Sequence, residues 1–584
     1  MRVKILPVFL LIIFAAVMLC ASCAQSTSVN AHEPITIMTA GWNYESFAHG
    51  LKEKYPEVEL EFISYNGQNS SIYMKKALEA GHIPDIYTSS TLPDEELQKK
   101  HLMDLSIYDF SSKYAVSRLK DCSIYGAVYM LPASYVANGI YYNKTLFKKH
   151  GWTVPQSFKE LEELAPKIRS AGVELSCTDL SFAGTGFQYL FNLADTVFLR
   201  TPAGLEWEDD FLSGKASAQA VWKDTVEYVQ KWIDLGMFYR PEDALTLGDC
   251  QQHFKEGNTA FFLHAGVFTF AQNDDGTGDQ YGIMPWLSAD GSSNRYITAT
   301  SRYFGLNAEL EKPENKQKLE DAMKFMEFIS TPEGQRLLPG ADKLLLPLTD
   351  DGSQDITGFS DAKELLDSGY SAPSAYARWE KIVAVVGEES IKWLQGESTG
   401  EQVITLMEQA WAYTLENGEL SYAEVEEDLT NEETAKLVGN AFLYASDADC
   451  ALVSLGGYHD GLENDQGVNG CLWKGPATNE ILCTVCPLGW MGTIQTFTLS
   501  GGKIKELQKA GFDRYGDKDC FPYVRVTKGG MKLKDEMNYT VVILGYTDEV
   551  LKYSDVNDTG ICGMDALKEY FSMLGSITRQ NAAG

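Results

Sequence analysis

Ile35-Thr-Ile-Met-Thr39, Val58-Glu-Leu-Glu-Phe-Ile63 and Pro84-Asp-Ile-Tyr87 decide the fold class. The first alternates and is rich in β-formers, the second repeats the pattern, and the third opens another strand. Between them, residues 46–54 read as a helix that stops before Tyr55-Pro56, and residues 71–80 as one stopped by Gly81. Strands alternating with helices predict an α/β fold around a largely parallel sheet. Further out, a helix opens at Ser157. Ser157 and Glu160 form a capping box, Phe158, Leu161, Leu164 and Ile168 line one face, and Gly172 ends it. Residues 315–329 predict another helix, and Ser330-Thr-Pro-Glu opens the next, with Pro332 near its first position.

The chain has 584 residues, 44% hydrophobic and 22% charged. That excludes disordered, collagenous and polytopic membrane classes. At roughly 100–200 residues per domain, about three or more folding units are expected. Lys plus Arg is 49 and Asp plus Glu is 81, giving a net charge of −32. Such a surface repels phosphate backbones, so nucleic acid is not an expected partner.

Residues 1–22 read as a signal peptide. Arg2 and Lys4 precede an apolar run, residues 5–19, too short to span a bilayer comfortably. Ala21-Ser22-Cys23 then resembles a bacterial lipobox, although Cys20 stands where leucine is usual. The resemblance implies that Cys23 is lipidated and becomes the mature N-terminus, so the protein is lipid-anchored to the cell membrane and faces outside. An ordinary cleaved signal is the alternative. Residues 23–33 read as a polar tether. Nine cysteines follow Cys23, and an outside location permits disulfides. An odd number leaves at least one thiol over. Cys483-Thr-Val-Cys486 has no second pair to complete a zinc site.

Tyr129-Met-Leu-Pro132, Gly139-Ile-Tyr-Tyr-Asn-Lys-Thr-Leu-Phe147, Gly151, Pro155 and the Ser157 helix together resemble family 1 extracellular solute-binding proteins. These are the carbohydrate-capturing subunits of ABC importers. Phe254-Lys-Glu-Gly-Asn-Thr-Ala-Phe-Phe262 with Gly266-Val-Phe268, Tyr281-Gly-Ile-Met-Pro285 and residues 322–338 continue the resemblance in order. It spans about 33–420 and implies a two-lobed, periplasmic-binding-protein-like α/β domain over 34–417. The lobes are hinged, the chain crosses between them more than once, and ligand is trapped in the cleft. A carbohydrate ligand and ABC permease subunits are the implied partners, and no cofactor or metal is implied.

A sugar cleft needs flat aromatic platforms and orienting polar groups. Trp42 follows the first strand, at the crevice end where open α/β sheets bind ligands, and Ser90 reaches the same end if the third strand is parallel. Asp85 would then lie at the far end. Trp286 sits beside Pro285 in a predicted loop, and Phe268 replaces the family's usual tryptophan. Tyr135, Trp207, Arg302, Tyr303 and Trp379 complete the candidates. Packing offers a plain alternative for Trp42, and a helix cap or turn acceptor for Ser90. His264 is expected to satisfy a buried hydrogen bond rather than touch ligand.

Residues 418–431, dense in acids, read as a solvated connector. From Glu433-Thr-Ala-Lys-Leu-Val-Gly-Asn-Ala-Phe-Leu onward through Gly456-Gly457, the chain resembles the C-terminal domain of 5′-nucleotidases. Cys486-Pro-Leu-Gly-Trp490, Thr498-Leu-Ser-Gly-Gly-Lys-Ile-Lys-Glu-Leu507 and Met537-Asn-Tyr-Thr-Val-Val-Ile543 extend the match, implying a further α/β domain over 432–584. His459 replaces that family's nucleotide-contacting arginine, Trp490 replaces its asparagine, and the metal-bearing phosphatase domain is absent from the sequence. A non-catalytic accessory module is expected, so the whole chain is read as a binding protein and not an enzyme. The competing reading is a surface nucleotide or ester hydrolase, or nucleoside-binding protein, acting through this tail. A peptide, polyamine or nucleoside in the main cleft is a third.

Overall fold

Ile35, Ile37 and Met38 are buried in β1 (Ile35–Ala40), the centre of the first αβ repeat. The chain runs on through α1 (Glu45–Lys54), β2 (Leu60–Tyr65), α2 (Ser70–Ala80) and β3 (Ile86–Ser89). In the computed structural model the described residues are 32–40, 44–65, 70–180, 182–242, 246–264, 278–341, 344–350, 362–418, 420–459, 462–464, 467–468, 470–486, 492–510, 523–544 and 555–582. Trp42, Phe268, Trp490 and the whole of residues 1–31, with Cys23, lie outside them.

After β4 (Leu131–Pro132), β5 (Tyr135–Asn138) carries the chain into a second lobe. That lobe contains β6 (Ile140–Asn143), α3 (Phe158–Ser170), β7 (Glu174–Thr178), α4 (Ala183–Ala194), α5 (Pro202–Leu212), β8 (Thr259–Leu263) and β9 (Tyr281–Met284). The return is made by β10 (Tyr296–Thr300) and β11 (Tyr303–Leu306), which leads to α6 (Lys316–Ile329). Leu345 bridges Tyr135, whereas Ala362 and Leu366 are buried in the second lobe, so a third crossing follows before β12 (Ser371–Pro373) and α7 (Gly400–Asn417).

The first lobe's sheet has the order β2-β1-β3-β11-β4, with β1 parallel to both neighbours and β11 antiparallel to β3. The second lobe's sheet is β9-β6-β8-β7, with β7 and β8 parallel. Between them lies the strip β12-β10-β5. The predicted elements are present with small shifts. β2 begins at Leu60 rather than Val58, because the Val58 N–H is taken by the Tyr55 carbonyl in the preceding turn. Ser157 Oγ accepts from the Glu160 N–H at 3.2 Å, but the Glu160 carboxylate accepts from Gln156 N at 2.8 Å, so the box closes one residue early.

Among the described residues the tail holds a three-stranded sheet, a five-stranded sheet and a separate hairpin. β13 (Ser421–Val425), α8 (Asn431–Ser446), β14 (Cys450–Ser454), the hairpin β15 (Gly457–His459) and β16 (Leu462–Asn464), β17 (Gly475–Thr478) and α9 (Asn479–Val485) come first. β18 (Thr493–Ser500), β19 (Tyr523–Thr527), β20 (Asn538–Leu544), β21 (Asn557–Cys562) and β22 (Ser576–Ile577) complete the orders β17-β13-β22 and β19-β14-β20-β18-β21. The expected acidic connector is therefore corrected. β13 is a central strand whose Ala423 and Val425 enter the tail's core, while Glu424 and Glu426 occupy the exposed alternate positions. A period of two puts acids on one face and leaves the other apolar.

The tail is clamped to α2. Trp473 lies 4.9 Å from the Tyr73 ring and stacks on His82 at 5.8 Å. His82 Nε2 reaches Asp428 at 3.0 Å, and Lys76 lies 3.7 Å from Glu480 on α9. Gly470 permits this approach, since a Cβ there would meet the Tyr73 ring at 2.8 Å.

Candidate ligand cleft

The C-terminal ends of β1, β2 and β3 share one edge of the first lobe, and the crossing strands pass beside it. Tyr303 pairs with Ser89 on one side and Pro132 on the other. Asp85, at the opposite end of β3, accepts from Thr36 N and Oγ1 at 2.9 Å, as the parallel arrangement requires. Ser90 is exposed just past the strand end. Arg302 is 7% exposed, and its guanidinium lies 5.9 Å from the Tyr44 ring. Tyr44, Ala133, Ser301, Arg302, Phe304 and Leu338 line a small recess whose single charged group is Arg302. Burial pushes the Tyr303 hydroxyl up to about 12, so it stays a neutral donor and acceptor. Ser134 and Ser301, one on each crossing, bond side chain to side chain at 3.1 Å.

In the second lobe, the ends of β7, β8 and β9 converge in the same way. Asp179 follows β7 and lies 3.2 Å from His264 Nδ1, which follows β8. Asn138, entering β6, donates to the His264 carbonyl at 2.6 Å and accepts from Trp286 Nε1 at 3.2 Å. Phe182, just before α4, is 61% exposed at this edge, and half-exposed Tyr239 accepts the Thr178 N–H through its carbonyl. Pro132 and Asn138 are six residues apart, so the chain joins the two edges over at most about 20 Å. A group of sugar size between them would meet strand ends from both lobes.

The structure thus brings Ser90, Arg302 and Tyr303 together. Tyr135 lies next to them, but its ring is covered by the Arg118 guanidinium at 4.7 Å, and Arg118 also donates to Ser371 Oγ at 2.6 Å. Three tryptophan assignments are corrected. Trp286 and Trp379 are each 0% exposed and Trp207 is 8% exposed, all within the second-lobe core. Trp286 packs against Tyr189 and Trp232, and Trp379 stacks on Phe211 at 5.2 Å. Their N–H groups are satisfied internally, from Trp379 to Glu208 at 2.8 Å and from Trp207 to the Ser217 carbonyl at 3.0 Å. An enclosed indole offers no face to a ligand. His264 makes the hydrogen bond expected of it, with Asp179 at 3.2 Å. Phe182, Tyr239 and Asp179 were missed. The rule that singled out Trp42, an aromatic just beyond a parallel strand, would have found Phe182 had it been applied to the second lobe.

Behind the cleft, Glu208 is fully buried between Arg378 at 2.7 Å, Arg200 at 3.5 Å and the Trp379 N–H. Asp195 pairs with Arg200 at 2.7 Å, yet burial outweighs that attraction and raises its carboxyl to about 6.

Two α/β lobes joined by a triple crossing define a hinged binding protein. Residues 38–336 match the profile of the bacterial extracellular solute-binding protein family, and the chain belongs to it. The same fold occurs in a family 1 extracellular solute-binding protein from Bifidobacterium longum subsp. infantis, at 18% identity and TM-score 0.53, covering 65% of this chain and 99% of that one. The binding protein MsmE of Bacillus subtilis in an open conformation gives 14% identity and TM-score 0.55 over 67% and 99%. The apo form of RafE from Streptococcus pneumoniae gives 16% and 0.52 over 65% and 97%. The ABC transporter extracellular-binding protein PH1039 of Pyrococcus horikoshii is 24% identical over 153 residues, which is 24% of this chain and 36% of that protein.

Proposed function

We propose that the protein captures a sugar or oligosaccharide in this cleft for an ABC importer, held to the membrane by acyl chains on Cys23. The carrying observation is the meeting of Ser90, Arg302 and Tyr303 at the first-lobe strand ends, together with Asp179 and exposed Phe182 at the strand ends of the second lobe. An aromatic face for C–H groups and fixed polar side chains for hydroxyls are what a sugar needs. Trp42 and Phe268, whose sequence positions follow β1 and β8, remain proposed contacts. The tail, gripping α2 beside this lobe, serves as a non-catalytic accessory module.

The test is a thermal-shift screen of residues 24–584 against raffinose, stachyose, chitooligosaccharides, nucleosides and polyamines, followed by calorimetry. Saturable binding of a carbohydrate, weakened by Arg302→Gln, is expected. A nucleoside or polyamine as the sole tight ligand would refute the sugar reading. Retention of a Cys23→Ser protein on membranes would refute the anchor.

A further inference from the structure

We propose a second carbohydrate site, for one neutral sugar ring, in a trough on the first lobe away from the cleft. The trough has a volume of about 280 Å³ and is formed by the end of α1, residues 108–113 and α6. That is near the lower end of small-ligand sites, about 300–1,000 Å³. It is separate from the cleft recess. Tyr44 in that recess precedes α1, whereas Lys54 in the trough is the last residue of α1, and ten helical residues span about 15 Å.

The wall chemistry selects the ligand. Tyr108 stacks on buried Phe110, with ring centroids 5.5 Å apart and planes within 12°, so one aromatic face is held flat while Tyr108 itself is half-buried. Such a face suits the C–H side of a sugar ring. Tyr55 donates its hydroxyl hydrogen to Glu327 at 3.1 Å, which fixes a carboxylate acceptor on one wall. Lys54, which also lines the trough, lies over the Tyr55 and Phe328 rings at 5.7 and 5.6 Å. Lys113 and Asp109 add one more donor and one more acceptor. Among the described residues neither lysine is ion-paired; both line the trough, and Lys113 is exposed.

Two ammonium and two carboxylate groups cancel. A ligand of either net charge gains little from them, and an apolar ligand would have to strip water from all four. A ring carrying several hydroxyls can accept from the lysines, donate to the carboxylates and lay its face on Tyr108. The site needs no lobe closure, since α1, residues 108–113 and α6 all belong to the first lobe.

The experiment uses the full chain with ¹³C-labelled methionine methyls, because Met323 lines the trough. Its signal is assigned with Met323→Leu, and glucose, galactose and N-acetylglucosamine are titrated into the millimolar range. The expected result is a saturable Met323 shift, weakened about tenfold or more by Tyr108→Ala and retained in the cleft variant Arg302→Gln. Lys113→Ala, on an exposed side chain, should weaken it with the melting temperature unchanged. A Met323 signal unmoved by every sugar would overturn the proposal, as would equal shifts in wild type and Tyr108→Ala. A stronger saturable response to citrate or spermidine would overturn the neutral-ring assignment.

Discussion

The two lobes use aromatic residues in opposite ways. The second-lobe core contains Trp207, Trp222, Trp232, Trp286, Trp379, Trp393 and Trp411, most bonded through their N–H groups to groups inside the lobe. The described core of the first lobe is built from aliphatic residues, Met, Phe, Tyr and Cys122, and the one tryptophan packed on it among the described residues, Trp473, is lent by the tail. The lobe richest in tryptophan thus keeps its core indoles inside the frame. A tryptophan whose N–H has an interior acceptor is part of the frame. What stands at the strand ends is more polar, as with Ser90, Arg302 and Tyr303, or lies between a strand and a helix, as with Phe182.

The largest effect that would break this contrast is at Trp286. Trp286→Ala should cost about 3–5 kcal/mol by opening a core cavity, read as a lower urea midpoint. Unchanged stability with lost ligand affinity would make Trp286 a platform after all.

Next is Asp195, also interior to the second lobe. Its carboxyl is raised from 3.8 to about 6 by burial, so the fold holds its proton more tightly than the unfolded chain does. Its contribution is therefore full in acid and is lost as pH rises from about 4 through about 6, by on the order of 3 kcal/mol. Urea unfolding at pH 4, 5, 6 and 7 should show a flatter profile for Asp195→Asn than for wild type over that window. Parallel profiles would mean that the carboxyl is solvated.

The cleft edge should behave conversely. Arg302→Gln should lower ligand affinity about thirtyfold, on the order of 2 kcal/mol. Phe182→Ala should also weaken binding while moving stability by less than about 0.5 kcal/mol, as an exposed position allows. Calorimetry and a melting curve on each variant separate the two roles, and a collapsed melt for Phe182→Ala would place it in the core. A smaller effect than at Trp286, Asp195 or Arg302 is expected at the borrowed tryptophan. Trp473→Ala should cost about 1 kcal/mol, a ring pair's share beyond area, and increase protease access to α2. No change in either would mean the tail's grip is carried by His82, Lys76 and their acids.

The fold was legible where period and punctuation agreed. The αβ alternation, the Ser157 cap and Gly172, at φ +75, all reappear in the structure. The tail's first strand was hidden because counting acids masked the alternation of Ser421-Tyr-Ala-Glu-Val425. The cleft was only partly legible. Strand ends follow from topology, so Ser90 could be placed. An indole's burial depends on contacts far apart in sequence, such as Trp379 with Glu208, and composition carries no trace of them.

The start of the described chain is pinned as well. His32 Nδ1 lies 2.7 Å from Asp321, and the Glu33 N–H donates to Gln317 at 3.2 Å, both on α6. Residues 24–32 can bridge at most about 30 Å from a lipidated Cys23. An anchor there would act as a short leash on the same lobe that bears the tail, so the second lobe would be the jaw that swings. Labels on the two lobes should then differ in mobility on vesicles, with the second lobe tumbling more freely until ligand shuts it.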